Sequence, residues 1–400
     1  MVDTARTWRR AGLQPQYTGQ FAVLWLAGML AYAGFGLTYP QFSVLITGRG
    51  FSLQVLGLIQ AMATLLSIIS VVFIGKLSDR LNRRKPFLAA GLLMTVPVLG
   101  LFPHARSLGL FVVLLAVYQL GTSLLASAAA NWVARFGTQG QLGRLHGYYR
   151  ISFSFGWVVS TAAMGMVLDR LGTEASFYLG ALLAGLASLA VILFAEDTDR
   201  EPVPAAGEAS EFGTHYIWPV QLKLIIAALG IFTLAQTMGA QLNYIFLRED
   251  MQVTNRQFGL LSSVQSWPEI PLMILLGIMS DKVSNRALVA VGMGLAGLRW
   301  LLLASASGVA ELYFIQPIHA VAITITDVVV VAVITRQVPS RFLGAVMGWQ
   351  VAVASAAKLA APLLAGVVGH HFGIRTVFVL AALISAAAGL LAAGPGRKST

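Results

Sequence analysis

The chain of 400 residues contains no cysteine. That excludes a disulfide framework, thiolate metal centres and thiol nucleophiles. Charge is scarce as well: Asp, Glu, Lys and Arg make up 11% of the residues, where a soluble chain carries about a quarter. Acids are the scarcer sign, 16 against 27 Lys and Arg, for a formal net charge of +11. No Gly-x-x-x-x-Gly-Lys-[Ser/Thr] run is present, which argues against ATP hydrolysis by this chain, and no His-Glu-x-x-His pattern of zinc proteases appears. The pair His370-His371 stands alone on an expected loop. No metal, no cofactor and no enzymatic activity are expected.

Apolar residues take up the place that charge leaves. Hydrophobic types form 57% of the chain, and the mean hydropathy is +0.76. The 40 glycines suit membrane helices, where small residues let backbones approach closely. A bilayer core takes about 20 apolar residues per helix. The sequence reads as twelve such spans, roughly 21–47, 53–75, 87–103, 108–133, 145–168, 175–195, 219–247, 256–279, 287–307, 311–334, 342–368 and 374–393. The first is too long for a cleavable leader. The expected fold class is an all-α membrane protein of twelve transmembrane helices in two pseudo-symmetric six-helix bundles.

Lys and Arg set the orientation. The N-terminus carries Arg6, Arg9 and Arg10, the turn after the second span carries Lys76, Arg80, Arg83, Arg84 and Lys85, and the tail has Arg397 and Lys398. The opposite loops hold Arg49, Arg106, Arg170, Arg248, Arg256 and Arg375. Both termini are expected on the cytoplasmic side of the inner membrane. The basic excess is thus a topology signal, with the lipid bilayer as partner and no nucleic acid. Segment 196–218, with Glu196, Asp197, Asp199, Glu201, Pro202 and Pro204, reads as a linker between an N-terminal bundle, 1–195, and a C-terminal bundle, 219–400.

The two halves repeat one another at a spacing of about 202 residues. After the second span stands Gly75-Lys-Leu-Ser-Asp79-Arg80-Leu-Asn-Arg83-Arg84, and after the eighth Gly277-Ile-Met-Ser-Asp281-Lys282-Val-Ser-Asn285-Arg286. Gly57 matches Gly259. Gly143, Gly147, Gly165 and Gly172 match Gly344, Gly348, Gly366 and Gly373. A repeat in the same sense is a parallel duplication about an axis along the membrane normal.

The run from Gly75 to Arg84 resembles the loop signature of the major facilitator superfamily, Gly-x-x-x-Asp-Arg-x-Gly-Arg-[Arg/Lys], with Asn82 where glycine is usual. The weaker second copy also fits that family, and the resemblance covers the whole chain. Pro40 to Leu45, Arg150 with Ser154-Phe-Gly-Trp157, and Glu269-Ile-Pro271-x-Met273 are similar to the sugar efflux transporters. Gly297-Leu-Arg299-Trp300, His319 and Lys358 are similar to lactose-permease-like proton symporters, although Ala322 stands where that group has an acid. The resemblance implies alternating access, a central cavity lined by spans 1, 4, 7 and 10, and a monomer. It implies secondary transport of a small-molecule substrate coupled to protons: efflux of sugar-like or amphipathic drug-like molecules, or alternatively uptake of an oligosaccharide, nucleoside or aromatic acid. A non-transporting membrane receptor or sensor is the reading from another class.

Three groups of residues carry the expected chemistry. Gly75, Asp79, Arg80, Arg83, Arg84, Asp281 and Arg286 are candidates for conformational gating through charge-assisted hydrogen bonds, or for topology alone. Glu269, Arg299, His319, Asp327 and Lys358 are candidates for proton coupling. Each charge inside a span costs about 2.5–3.5 kcal/mol on insertion scales, and a carboxyl that passes between dry and wet surroundings exchanges a proton. Buried structural salt bridges are the alternative. Substrate-binding candidates are Tyr32, Tyr39, Gln41, Gln119, Asn131, Arg150, Trp157, Gln241, Asn243, Gln265, Trp267, Trp349 and Gln350. Aromatic faces with amides suit sugar rings and amphipathic drugs, but each residue could equally serve as an interhelical hydrogen bond or interface anchor. Arg150 lies close enough to the cytoplasmic end to reach water.

Overall fold

A computed structural model describes residues 7–8, 12–81, 85–136, 142–196, 218–273, 275, 286–338 and 340–394. The linker positions 197–217 lie outside the described residues. The elements are α1 (Thr18–Gly48), α2 (Leu53–Leu81), α3 (Lys85–Leu101), α4 (Leu108–Phe136), α5 (Leu142–Phe194), α6 (Val220–Ile245), α7 (Asn255–Ser266), α8 (Arg286–Ser305), α9 (Val309–Ile315), α10 (Ile318–Gln337), α11 (Ser340–Phe372) and α12 (Ile374–Ala393). Among the described residues, ten helical stretches are long and apolar enough to cross a membrane. One of them, 147–194 within α5, covers the fifth and sixth expected spans. They are joined at Gly172, whose φ of 82° breaks the helix; L side chains rarely adopt that region, and glycine does so without penalty. Gly373, its counterpart in the repeat, has φ 84° immediately before α12.

Local chemistry fixes other boundaries. Thr254 and Gln257 form a capping box at the start of α7, with the Gln257 N–H donating to Thr254 Oγ1 at 3.3 Å and the Thr254 N–H donating to Gln257 Oε1 at 2.9 Å; two orphan donors are satisfied reciprocally. Proline punctuates two expected spans. Helix α7 gives way to a turn at Trp267-Pro268 before residues 269–273 resume a helix, and α9 is parted from α10 at Gln316-Pro317. Proline lacks the N–H that an unbroken helix needs.

The described residues form two compact units. The first takes residues up to 50, 62–201 and 253–270; the second takes 51–61, 202–252 and 271 onward. In the first, α1 packs along α5, α3 packs on α4 and α5, and α7 packs on α5. Its core joins Phe21, Leu24, Leu92, Trp132, Phe136 and Tyr149. In the second, α8 packs on α12 and α10, while α6 packs on α11 and α12. Its core joins Leu222, Ile225, Phe232, Met293, Ala296 and Val330. Large apolar side chains such as Leu182, Leu193, Phe314, Leu383 and Leu390 are left exposed. On helices apolar all round, that is the surface a bilayer covers.

Candidate functional site

In the first unit, one face of α1 presents Tyr32, Phe35 and Tyr39, spaced three and four residues apart as helix neighbours are. Helix α5 brings Phe153 and Trp157, four residues apart, against them. Tyr32 and Phe153 stack at 4.1 Å between ring centroids, with planes 4° apart. Phe35 lies 5.5 Å from Trp157 and 5.8 Å from Tyr118 of α4, parallel to the latter. Tyr39 lies 6.1 Å from Trp157. Such aromatic pairs contribute about 0.5–1.5 kcal/mol each beyond the area they bury. The cluster is a preformed platform, and it has one open polar feature: the buried Nε1 of Trp157 has no hydrogen-bond partner among the described residues.

The same unit carries several of the expected polar groups. Gln119 of α4 accepts a hydrogen bond from Thr64 of α2 at 3.1 Å. Gln41 is buried and donates to Met164 Sδ at 3.3 Å, so its amide is engaged within the helix packing. Ser154 of α5 donates to the Glu269 carboxylate at 3.3 Å. Ser154 and Trp157 are three residues apart, so the carboxylate and the open indole donor occupy one side of α5. Arg150, one turn before Ser154, is exposed. Gln265 is half-buried and Trp267 is exposed on the segment that carries Glu269.

The second unit holds a different constellation. Arg299 of α8 is 1% exposed. It donates through Nη2 to Gln316 Oε1 at 2.6 Å, and Gln316 Nε2 in turn donates to Asn243 Oδ1 of α6 at 3.5 Å. The guanidinium also lies over the Trp300 ring, 4.3 Å from its centroid. Its Nε and Nη1 have no hydrogen-bond partner among the described residues. A buried cation held by a neutral amide is unusual, because isolated charges are expensive to bury. Gln241 is buried, and among the described residues neither of its amide atoms has a hydrogen-bond partner; Gln350 Oε1 likewise has none among them. His319 is half-buried, and Trp349 and Lys358 are exposed. Trp349 meets Trp218 edge-on at 6.4 Å.

The structure therefore brings Tyr32, Tyr39, Gln119, Trp157 and Glu269 into the first unit, and Asn243, Arg299 and His319 into the second. Among the gating candidates, Arg286 donates to the Ala392 carbonyl at the end of α12 at 3.1 Å. Arg83, Arg84 and Asp281 lie outside the described residues, as do the side chains of Asp79, Arg80, Asn131 and Asp327; Gly75 falls in the same stretch of α2. Sequence reasoning missed Phe35, Tyr118 and Gln316. The signal for Gln316 was present: a polar residue before Pro317 inside an apolar span marks a broken helix, and broken helices carry sites in transporters.

Comparison with known proteins bears on the family and the fold. The chain is 26% identical over 379 residues to a candidate sugar efflux transporter of Deinococcus radiodurans, covering 91% of this chain and 95% of the relative. It is 24% identical over 376 residues to the multi-drug resistance efflux pump PmrA of Streptococcus pneumoniae, covering 90% and 92%. A solved variant of the nucleoside transporter NupG shares the fold with a TM-score of 0.75 at 11% identity, over 92% of this chain and 98% of that one. The profile of the Major Facilitator Superfamily matches residues 24–245 and 224–397, and the chain belongs to that superfamily of multi-pass membrane transporters, which are not enzymes.

Proposed function

We propose that this transporter exports small sugar-like or amphipathic molecules in exchange for protons. The observation that carries the reading is the aromatic platform of Tyr32, Phe35, Tyr39 and Trp157, with the open Trp157 N–H and the Ser154–Glu269 pair on the same side of α5. Stacked rings bind the apolar face of a sugar or drug, and an unfilled indole donor fixes a hydroxyl or carbonyl. Glu269 and Asp327 are the carboxyls that exchange a proton as the substrate arrives and leaves, and Arg299, His319 and Lys358 are the basic groups that take part in the coupling. Further proposed substrate contacts are Asn131, Arg150, Gln265 and Trp267 in the first unit and, separately, Gln241, Trp349 and Gln350 in the second. The efflux-type names of the two relatives support the direction.

The rest of the reading follows from the sequence pattern. Residues 1–195 and 219–400 act as two halves joined by 196–218, both termini face the cytoplasm of the inner membrane, and the Asp79 and Asp281 loops gate the exchange. A second reading has one observation in its favour. Arg299 keeps two donor atoms without an acceptor among the described residues, which favours a substrate with a carboxylate, such as an aromatic acid taken up with protons.

The test is flux in proteoliposomes under an imposed pH gradient, with radiolabelled aryl glycosides, ethidium and benzoate as probes. Glycoside or ethidium movement opposite to the proton gradient supports export. Benzoate accumulation that Arg299→Gln abolishes, without glycoside movement, replaces it by the second reading.

A further inference from the structure

Inside the first unit, between α1, α3, α4 and the second arm of α5, lies a cavity of about 210 Å³. It borrows Tyr32, Phe35 and Tyr118 from the aromatic platform, but the rest of its wall is different: Leu92 and Thr95 of α3, Thr122 and Ser123 of α4, Ala184 of α5. Among the described residues, no charged side chain and no side-chain amide lines it. An anion, or a sugar with many hydroxyls, would leave polar groups unsatisfied there.

The cavity is held open by the backbone. Gly91 and Gly121 bring α3 and α4 together so closely that a Cβ on Gly121 would stand 2.6 Å from the Gly91 carbonyl oxygen. Gly34 and Gly180 do the same for α1 and α5, with 2.9 Å to the Gly180 oxygen. These helix pairs are already in backbone contact at the cavity wall and cannot close further to fill it. A smaller apolar cavity in another protein binds benzene.

The lining hydroxyls decide what fits. Thr95 Oγ1 donates to the Leu92 carbonyl at 2.7 Å, and Thr122 Oγ1 to the Tyr118 and Gln119 carbonyls at 3.1 Å each. Thr38 Oγ1 donates to the Gly34 carbonyl at 3.0 Å, so the 3.5 Å contact between Tyr118 and Thr38 has the tyrosine as donor. With their protons spent on the protein, these oxygens present lone pairs alone. Thr95, Thr122 and Tyr118 thus face the cavity as acceptors, beside the hydroxyls of Tyr32 and Ser123.

We propose that this cavity is a binding site for a small aromatic ring bearing one hydrogen-bond donor: a phenol, an indole or an aromatic amine. The volume suits a ring system of about ten non-hydrogen atoms. This assignment stands independently of the proton-coupled export reading, because it concerns binding and not flux.

The test uses indole and 1-methylindole, which share size and ring but differ in the N–H, titrated calorimetrically into the full-length protein in nanodiscs. Saturable binding of one indole per chain is expected, with 1-methylindole about threefold to tenfold weaker for one lost hydrogen bond. Ala184→Phe, which fills the cavity from α5, abolishes binding of both probes. Thr95→Val combined with Thr122→Val keeps ring binding but removes the preference for indole. The assignment is overturned by non-saturable partition alone, by unchanged indole binding in Ala184→Phe, or by equal affinity of the two probes for the wild type. If Ala184→Phe does not fold, the wild-type comparison and the valine pair decide the matter.

Discussion

Arg286 and Arg375 stand in the first turns of α8 and α12, and each reaches across to the last carbonyls of the other helix. Arg286 Nε donates to Ala392 O at 3.1 Å, and Arg375 Nη1 donates to Ala304 O and Ala306 O at 2.8 Å each. A cation at a helix C-terminus satisfies orphan carbonyls and complements the macrodipole. Hydrogen bonds to charged groups contribute about 1.5–3 kcal/mol, so Arg375→Gln should lower the thermal unfolding midpoint of the purified protein, and Arg286→Gln should lower it less. Equal midpoints for wild type and Arg375→Gln would remove the clamp from this account. At the platform, Trp157→Phe keeps a ring and deletes the open donor; KM for an exported glycoside should rise about threefold to tenfold with little change in maximal rate. An unchanged KM would mean that the Trp157 N–H does not meet substrate. Tyr32, Tyr39 and Trp157 were legible in the sequence because polar aromatics stand out in apolar spans. Phe35 and Tyr118 were not, since a Phe among leucines gives no signal until its neighbours from α4 and α5 are known. Arg375 read as a loop charge for the same reason: its acceptors are carbonyls of a distant helix.

At the scale of elements, glycine spacing carried most of the information. Gly57 and Gly259 are counterparts in the repeat, as are Gly165 and Gly366, and the structure uses them in the same way twice. In the first unit Gly259 of α7 packs on Gly165 and Thr161 of α5; in the second, Gly57 of α2 packs on Gly366 and Pro362 of α11. A Cβ on Gly259 would stand 2.6 Å from the Thr161 oxygen and 2.8 Å from the Gly165 nitrogen, both backbone atoms that cannot yield. Gly259→Val should therefore push α7 from α5 and destabilise the protein by about 1–3 kcal/mol. Gly147→Ala, on a helix with nothing among the described residues within 4 Å of the new Cβ, should be neutral or gain up to about 1 kcal/mol from helix propensity. Thermal or denaturant unfolding of the two variants side by side checks the contrast, and a Gly259→Val protein as stable as wild type would contradict the close crossing. The same two crossings explain why segments 51–61 and 253–270 pack with helices far from them in sequence. A hydropathy pattern marks where helices run and says nothing of which neighbours they choose. The breaks at Pro268 and Pro317 were written in the sequence, but apolar run length concealed them.

For the whole molecule, fold class followed from composition, span length and the repeat, because a bilayer admits few solutions to satisfying every backbone polar group. The family profile agrees with it over both halves of the chain. The site was less legible. Charge scarcity singled out Glu269 and Arg299, but their hydrogen-bond partners, Ser154 and Gln316, are small or neutral residues of the kind that fill every membrane helix. The central claim is that export is driven by protons through the carboxyls of Glu269 and Asp327. It is tested most directly in proteoliposomes by comparing wild type with Glu269→Gln, Asp327→Asn and the double variant. Two quantities are read after folding is verified: accumulation of a labelled glycoside or ethidium driven by a pH gradient, and exchange of the same probe without a gradient. The account predicts that at least one single variant keeps exchange while gradient-driven accumulation fails. Accumulation against a gradient by the double variant would show that these carboxyls are structural and that the carrier is driven in another way.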